Sequence, residues 1–342
     1  MPVLPVPPYI PAFPFTSGHL QTLYPTLFRR KPTLDPLPER LETDDGDFID
    51  IDWHLQNKGS YSHRLTVISH GLEGNSRRRN MLGMAACLVE QGWDVICLNF
   101  RGCSAEMNRL PRLYHSGVTD DLHRVLSHGL ATGNYDQAAL LGFSMGGNQT
   151  LKYLGESADQ VPQAVKAAVV FSVPIQLADS AALMGRWNNR IYMKYFMSGL
   201  KKKVRLKAAM FPKLYDTAGL AGMKTFAAFD DKYTGPIHGF RNAADYYSKC
   251  SAKQFLPAIE VPTLLVQAQD DPFLPLSCYP VEEAQDNDNL FLEIPRYGGH
   301  VGFIGKRKAA NYWMEDRAVC FLDNILGPSR DPLHLPGGSY DN

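Results

Sequence analysis

The sequence predicts an α/β protein: a mostly parallel, doubly wound sheet, with a helical cap inserted after the sixth strand and an extended arm at the N-terminus. Three observations carry this. Short, near-continuously apolar runs alternate with helix-like stretches long enough to serve as βαβ crossovers. That rhythm stops between Ile175 and about Pro257, where methionines, aromatics and lysines recur at helical spacing. It then resumes for two more strands and a closing amphipathic helix. A chain of 342 residues is long enough for one such domain with an insertion.

The elements follow in order. Residues 1–38 are rich in proline and read as an extended arm packed on the main body. Leu41–Leu55 (LETDDGDFIDIDWHL) alternates around an Asp-Gly turn, which reads as a hairpin at the sheet edge. RLTVISHG (Arg64–Gly71), WDVICLNFRG (Trp93–Gly102), YDQAALLGFS (Tyr135–Ser144) and VKAAVVFSVP (Val165–Pro174) are the next strands. Between them lie helix candidates: Arg77–Gln91, and a stretch starting near Thr119. Asp120 and Asp121 fall in the first turn of the latter, where the helix dipole favours negative charge. Residues 175–257 form the cap, with Pro212 and Gly235–Pro236 as breaks. PTLLVQAQDD (Pro262–Asp271) and LFLEIPRYGGH (Leu290–His300) are the last strands, and Ala309–Leu326 is the final helix. Residues 39–174 and 258–327 thus make the core, and 328–342 reads as a disordered tail.

Lys+Arg and Asp+Glu balance at 35 each, so net charge offers no argument for a nucleic-acid partner. The local exception is KKKVRLK, beginning at Lys201. It either approaches anionic head groups as a peripheral membrane contact or, the commoner case, is a solvated helix face. The six cysteines show no CxxC pair and no metal-like spacing, which fits a reduced, cytoplasmic setting. The N-terminus has no basic residue before Arg29 and reads poorly as a signal peptide. No apolar run reaches the length of about 20 residues that spans a bilayer.

The chemistry centres on LLGFSMGGNQT (Leu140–Thr150). Gly-x-Ser-x-Gly alone is weak, but here a buried-strand pattern runs into Ser144 and a helix start follows. That is the context of a nucleophile elbow, whose sharp turn needs small flanking residues such as Gly142, Gly146 and Gly147. A serine hydroxyl needs a base, and in this architecture an acid and then a histidine follow at later strand ends. Asp271 and His300 meet that demand. Asp270 is the alternative acid, because adjacent residues on an extended backbone face opposite ways. Asp271 is preferred because it stands four residues before Pro275. The backbone N–H of Met145 and that of Leu72, in the loop SHGLEGNS, are the oxyanion donors. His70, Phe143, His115 and His238 are candidate substrate-pocket residues. Met184, Trp187, Tyr192, Met193, Tyr195, Phe196 and Met197 either line an acyl pocket or form the cap's own core.

HGLEG (His70–Gly74), NFRGCSAEMNRLPRLYHSG (Asn99–Gly117), GFSMGGN (Gly142–Asn148), QAQDDPF (Gln267–Phe273) and GGHVGFIG (Gly298–Gly305) together resemble the YheT-like α/β-hydrolases. SGHLQTLYPTLFRR (Ser17–Arg30) is similar to that family's N-terminal motif. These are bacterial esterases related to mammalian α/β-hydrolase-domain lipid hydrolases. The resemblance implies the α/β-hydrolase fold and hydrolysis of a small-molecule or lipid-like carboxylic ester. It casts Ser144 as nucleophile with Asp271 and His300 as relay partners, and needs no cofactor or metal. A lipase, phospholipase or acyltransferase would use the same triad, and a non-catalytic binding protein is the reading from another class. Arg101, Arg109 and His115 match the family, and their structural reading is as loop-holding hydrogen-bond donors and acceptors.

Overall fold

The computed structural model describes residues 3–57, 61–306 and 311–328. The edge hairpin forms as its Asp-Gly turn predicts: β1 (Leu37–Glu42) pairs antiparallel with β2 (Phe48–His54). The apolar runs become β3 (Arg64–Ser69), β4 (Asp94–Leu98), β5 (Gln137–Phe143), β6 (Val165–Phe171), β7 (Thr263–Val266) and β8 (Leu290–Glu293). All eight strands join one sheet in the order β1-β2-β4-β3-β5-β6-β7-β8. β2 runs antiparallel to β4, and β3 to β8 are mutually parallel. Every residue of β3, β4 and β7 is buried, as a sheet covered on both faces requires.

One face carries α2 (Arg79–Glu90) and α11 (Trp313–Leu326), whose Met81, Met84, Leu88, Met314 and Phe321 pack on Ile68, Val95 and Leu141. The other carries α3 (Asp120–Thr132), α4 (Met145–Glu156) and α10 (Val281–Asp286), with Leu122, Val125, Leu151 and Ala284 in its core. Parallel strands place their C-terminal ends along one rim, where the βα loops meet and where ligands of such sheets bind.

The cap lies between β6 and β7. It contains α5 (Leu177–Met184), α6 (Arg190–Met210), α7 (Phe226–Phe229), a π-helical turn (Asp230–Thr234), α8 (Gly235–Ile237) and α9 (Ala243–Cys250). α6 stops just before Pro212, as expected. Gly235–Pro236 instead opens α8, since a proline costs a helix no hydrogen bond in its first turn.

Two expectations need correction. The arm is extended only at first, where Val3 bridges Leu292 and Pro11 bridges Gly305; it then forms α1 (Gly18–Phe28) despite an internal Pro25. An interior proline removes the donor for the carbonyl four residues back. That carbonyl belongs to Gln21 and lies so close to Gly302 that a Cβ there would collide with it. Tertiary packing, which proline counting cannot register, sustains the helix. In KKKVRLK, Lys203 and Lys207 are buried rather than solvated. The Lys207 ammonium donates to the carbonyl oxygens of Asn108 and Leu110 at 2.7 and 2.5 Å. The tail beyond Pro328 and the expected first residues of the last helix, Ala309 and Ala310, lie outside the described residues.

Candidate active site

Ser144 joins β5 to α4 with φ 53° and ψ −118°, a strained conformation for a residue with a side chain. Its N–H donates to Phe171 O at 2.9 Å, and its carbonyl accepts from Asn148 N at 3.1 Å. The turn closes only because its neighbours lack side chains. A Cβ on Gly142 would lie 2.6 Å from Gly146 O and Gly147 Cα, and one on Gly146 would collide with Ser69 O. The hydroxyl thus stands at the start of α4, where the helix dipole favours developing negative charge.

His300 Nδ1 lies 2.9 Å from Asp271 Oδ2 and 3.2 Å from Oδ1. Asp271 is buried, and its Oδ1 also accepts the Phe273 N–H at 2.8 Å, so the carboxylate is held from two sides. Asp270 turns away. Its Oδ1 accepts the Gly299 N–H at 2.8 Å, its Oδ2 has no partner among the described residues, and burial raises its carboxyl above the usual range. Ser144 and His300 line one cavity of about 120 Å³ beneath the cap. No hydrogen bond joins their side chains among the described residues, an arrangement common in unliganded sites, where this contact tightens around substrate.

The turn carrying His300 is seated on α1. The His300 N–H donates to Thr22 Oγ1 at 2.8 Å, and the Thr22 hydroxyl donates to Gly18 O at 2.7 Å. Gln21 Nε2 donates to Phe15 O at 2.8 Å while its Oε1 accepts the Ile304 N–H at 2.7 Å. A Cβ on Gly18 would collide with Asp270 O. Nothing in the sequence assigns SGHLQT a role, yet Gly18, Gln21 and Thr22 share one helix face, and that spacing was its readable signal.

The second half of the site is the loop after β3. The N–H groups of Leu72 and Met145 have no acceptor among the described residues, which leaves both available to a ligand oxygen. His70 Nε2 accepts the Phe100 N–H at 3.2 Å, so Nδ1 carries the proton and donates to Gly71 O at 2.7 Å. Burial drives His70 down to about 3, and the neutral ring holds the loop while bordering a wider cleft that also reaches Ser144. Glu73, which follows Leu72, adopts φ 54°. It is clamped by Tyr114, whose hydroxyl accepts Glu73 N–H at 3.1 Å and donates to Oε1 at 2.5 Å, and by Lys203 of the cap, 2.6 Å from Oε1. Lys203 Nζ also lies 3.0 Å from Cys103 Sγ. A cap helix therefore grips the loop that carries the Leu72 N–H.

The remaining expected residues divide. His115 lines the cavity; its Nδ1 accepts the Gly117 N–H at 3.1 Å, and burial holds its pKa well below the ordinary imidazole range. His238 lines neither cleft that reaches Ser144: Nδ1 donates to Thr234 O at 2.8 Å and Nε2 accepts Leu113 N–H at 3.2 Å. Phe143 is buried under the elbow, stacked on Phe171, and borders a second cleft of about 410 Å³. That cleft runs from Ser144 and His300 past α1, Arg78, Arg79, Tyr192 and Tyr195. Met184 and Phe196 line the smaller cavity, Met193 and Met197 belong to the cap core, and Trp187 is exposed. Arg101 is buried among Asp121, Asp45 and Asp47 at 2.7, 2.8 and 3.1 Å, and exposed Arg109 pairs with Glu42. Among the described residues no group of three or more His, Cys, Asp or Glu could hold a metal, and no helix is long and apolar enough to cross a membrane.

Residues 67–306 match the family of the α/β-hydrolase fold. The chain is 35% identical to Escherichia coli YheT over 322 residues, 93% of this chain and 94% of that protein. It is 32% identical to the Mus musculus phospholipase ABHD3, covering 83% of this chain and 70% of the relative. With the Saccharomyces cerevisiae monoacylglycerol lipase it shares 27% identity over 80% of this chain and 63% of that one. Among solved structures, the Pyrococcus furiosus esterase Pf2001 matches with a TM-score of 0.57 at 18% identity, covering 86% of this chain and 92% of that chain, a likeness of fold. On the strength of the matched family, the full-length relative and the sheet, the chain belongs to the α/β-hydrolases, in their YheT-like branch.

Proposed function

We propose that this protein is a serine hydrolase of carboxylic esters. The observation that carries the reading is one cavity holding Ser144 on its strained turn together with His300, whose remote nitrogen is 2.9 Å from the buried Asp271. In this reading His300 Nε2 takes the proton from Ser144 Oγ, and Oγ attacks the acyl carbon. The negative charge that develops on the carbonyl oxygen is met by the Leu72 and Met145 N–H groups. His300 then protonates the leaving alcohol, the acyl–oxygen bond breaks, and water repeats the sequence on the acyl-enzyme. Asp271 fixes the imidazole tautomer and stabilises the imidazolium that forms. Relatives named as a phospholipase and a monoacylglycerol lipase support a small-molecule or lipid-like ester as substrate.

The test is covalent labelling by a fluorophosphonate. Wild-type protein should be labelled on Ser144, and Ser144→Ala should lose the label while retaining its circular dichroism. Labelling that persists in a folded Ser144→Ala protein would overturn the assignment.

A further inference from the structure

The cavity that holds Ser144 also contains a carboxyl which ester hydrolysis does not use. Asp230 opens the π-helical turn of the cap, a distortion that recurs at functional positions in helices. Its Oδ1 accepts from the Thr234 hydroxyl at 2.5 Å and its Oδ2 from the Tyr247 hydroxyl at 2.6 Å. No Lys, Arg or His nitrogen lies within 4.0 Å of it among the described residues. Asp230 sits deep in the cap yet is only half-buried, because part of its surface is cavity wall. Burial raises its carboxyl to about 6, which leaves it largely ionised at neutral pH.

Each carboxylate oxygen has two lone-pair sites, and each here receives one donor. Acceptor capacity towards the cavity therefore remains. Thr234, Tyr246 and Tyr247 stand in the same wall, while Leu177, Met184 and Phe226 are among its apolar members. A plain alkyl chain reaching Asp230 would strip water from a charged group and return no hydrogen bond, which is strongly unfavourable. This branch of the site measures about 120 Å³, below the roughly 300 Å³ at which ligand pockets usually begin, so a chain that enters it is short, whereas longer groups would have to lie in the wider cleft that also reaches Ser144.

We propose that Asp230 is a specificity residue of the acyl site, accepting a hydrogen bond from a hydroxyl or ammonium group carried on a short acyl chain. The preferred substrates are then esters of hydroxy- or amino-substituted acids rather than of simple fatty acids. This rests on the serine-hydrolase reading, and the two can fail separately.

The experiment compares kcat/KM for ethyl esters in matched pairs: butanoate with 3-hydroxybutanoate, and hexanoate with 6-hydroxyhexanoate and 6-aminohexanoate. The wild-type protein should favour at least one substituted ester by ten-fold or more. Asp230→Leu should abolish or reverse that preference and raise the rate on the plain ester. Asp230→Asn, closer in shape, should lose the ammonium preference first and keep part of the hydroxyl preference. Fluorophosphonate labelling of Ser144 in each protein reports whether the nucleophile is intact. A wild-type protein that labels but prefers the plain ester in every pair overturns the proposal, as does an Asp230→Leu protein that labels and slows on both classes equally. A folded wild-type protein that neither labels nor hydrolyses any ester overturns the hydrolase reading itself.

Discussion

The turn that carries Ser144 and the turn that carries His300 face one cavity but are built in opposite ways. The serine turn is largely local: β5, α4 and the glycines at 142, 146 and 147 force its shape within a few residues. The histidine turn borrows its stiffness from α1, through a hydrogen bond between residues 278 apart in sequence. A local device can be read from a string of residues. A borrowed one becomes visible only when the chain has folded back on itself.

Substitutions can sharpen or break that contrast. The largest effect is expected at the acid: Asp271→Asn should lower kcat on the order of 10³- to 10⁴-fold, because His300 loses the partner that sets its tautomer. Steady-state rates on a p-nitrophenyl ester measure this. Asp270→Asn should stay within about ten-fold, since the Asp270 carboxyl is held by backbone N–H groups such as that of Gly299 and not by His300; a larger fall there than at Asp271 would exchange their roles.

Lys203→Met leaves the half-buried Glu73 without its cation, which should cost about 1–3 kcal/mol of stability in denaturant unfolding. It should also lower kcat, because Glu73 adjoins the Leu72 donor. Exposed Lys202→Met is the control and should change stability by no more than about 0.5 kcal/mol.

Asp230 has a folded-state pKa of about 6, raised from 3.8 by burial. The native protein then binds more protons than the unfolded chain between those values, so stability falls as pH rises through that window. Asp230→Asn should flatten the fall, with a gain over wild type of up to about 3 kcal/mol at pH 8 and none near pH 3. Denaturant midpoints across pH are the measurement, and equal slopes for the two proteins would refute the shift.

The subtlest effect is expected at Thr22. Thr22→Val removes the acceptor of the His300 N–H and should lower kcat about ten- to a hundred-fold with KM little changed, while Thr22→Ser should restore it. A KM effect alone would make α1 a wall of the larger cleft instead of a support for His300.

Much of the architecture was legible. β3, β4, β5 and β6 lie where apolar runs predicted them, because a strand buried on both faces must be apolar throughout. Alternation on an extended chain predicts that only one of Asp270 and Asp271 faces His300. Asp271 does lie beside the ring, but the pair stands in a turn, where the Asp271 N–H donates to Ala268 O, so extended alternation is not what orients them. The helix at 18–28 was hidden by its internal Pro25 and the proline-rich stretch before it, and Lys203 and Lys207 by a run of like charges that usually marks a solvated face. His238 looked like a cleft residue because a loop histidine gives no sign of where its two nitrogens will be engaged.

By itself the sequence determined the sheet, the glycine-flanked serine turn, and the order in which Ser144, Asp271 and His300 follow β5, β7 and β8. Those depend on burial periodicity and local backbone sterics, which act over a few residues. Only the tertiary structure decided that a helix from the arm seats His300, that Lys203 of the cap clamps the loop beside Leu72, and that Asp230 enters the wall of the cavity. Each of these joins groups distant in the chain, and their partners are set by how the layers pack.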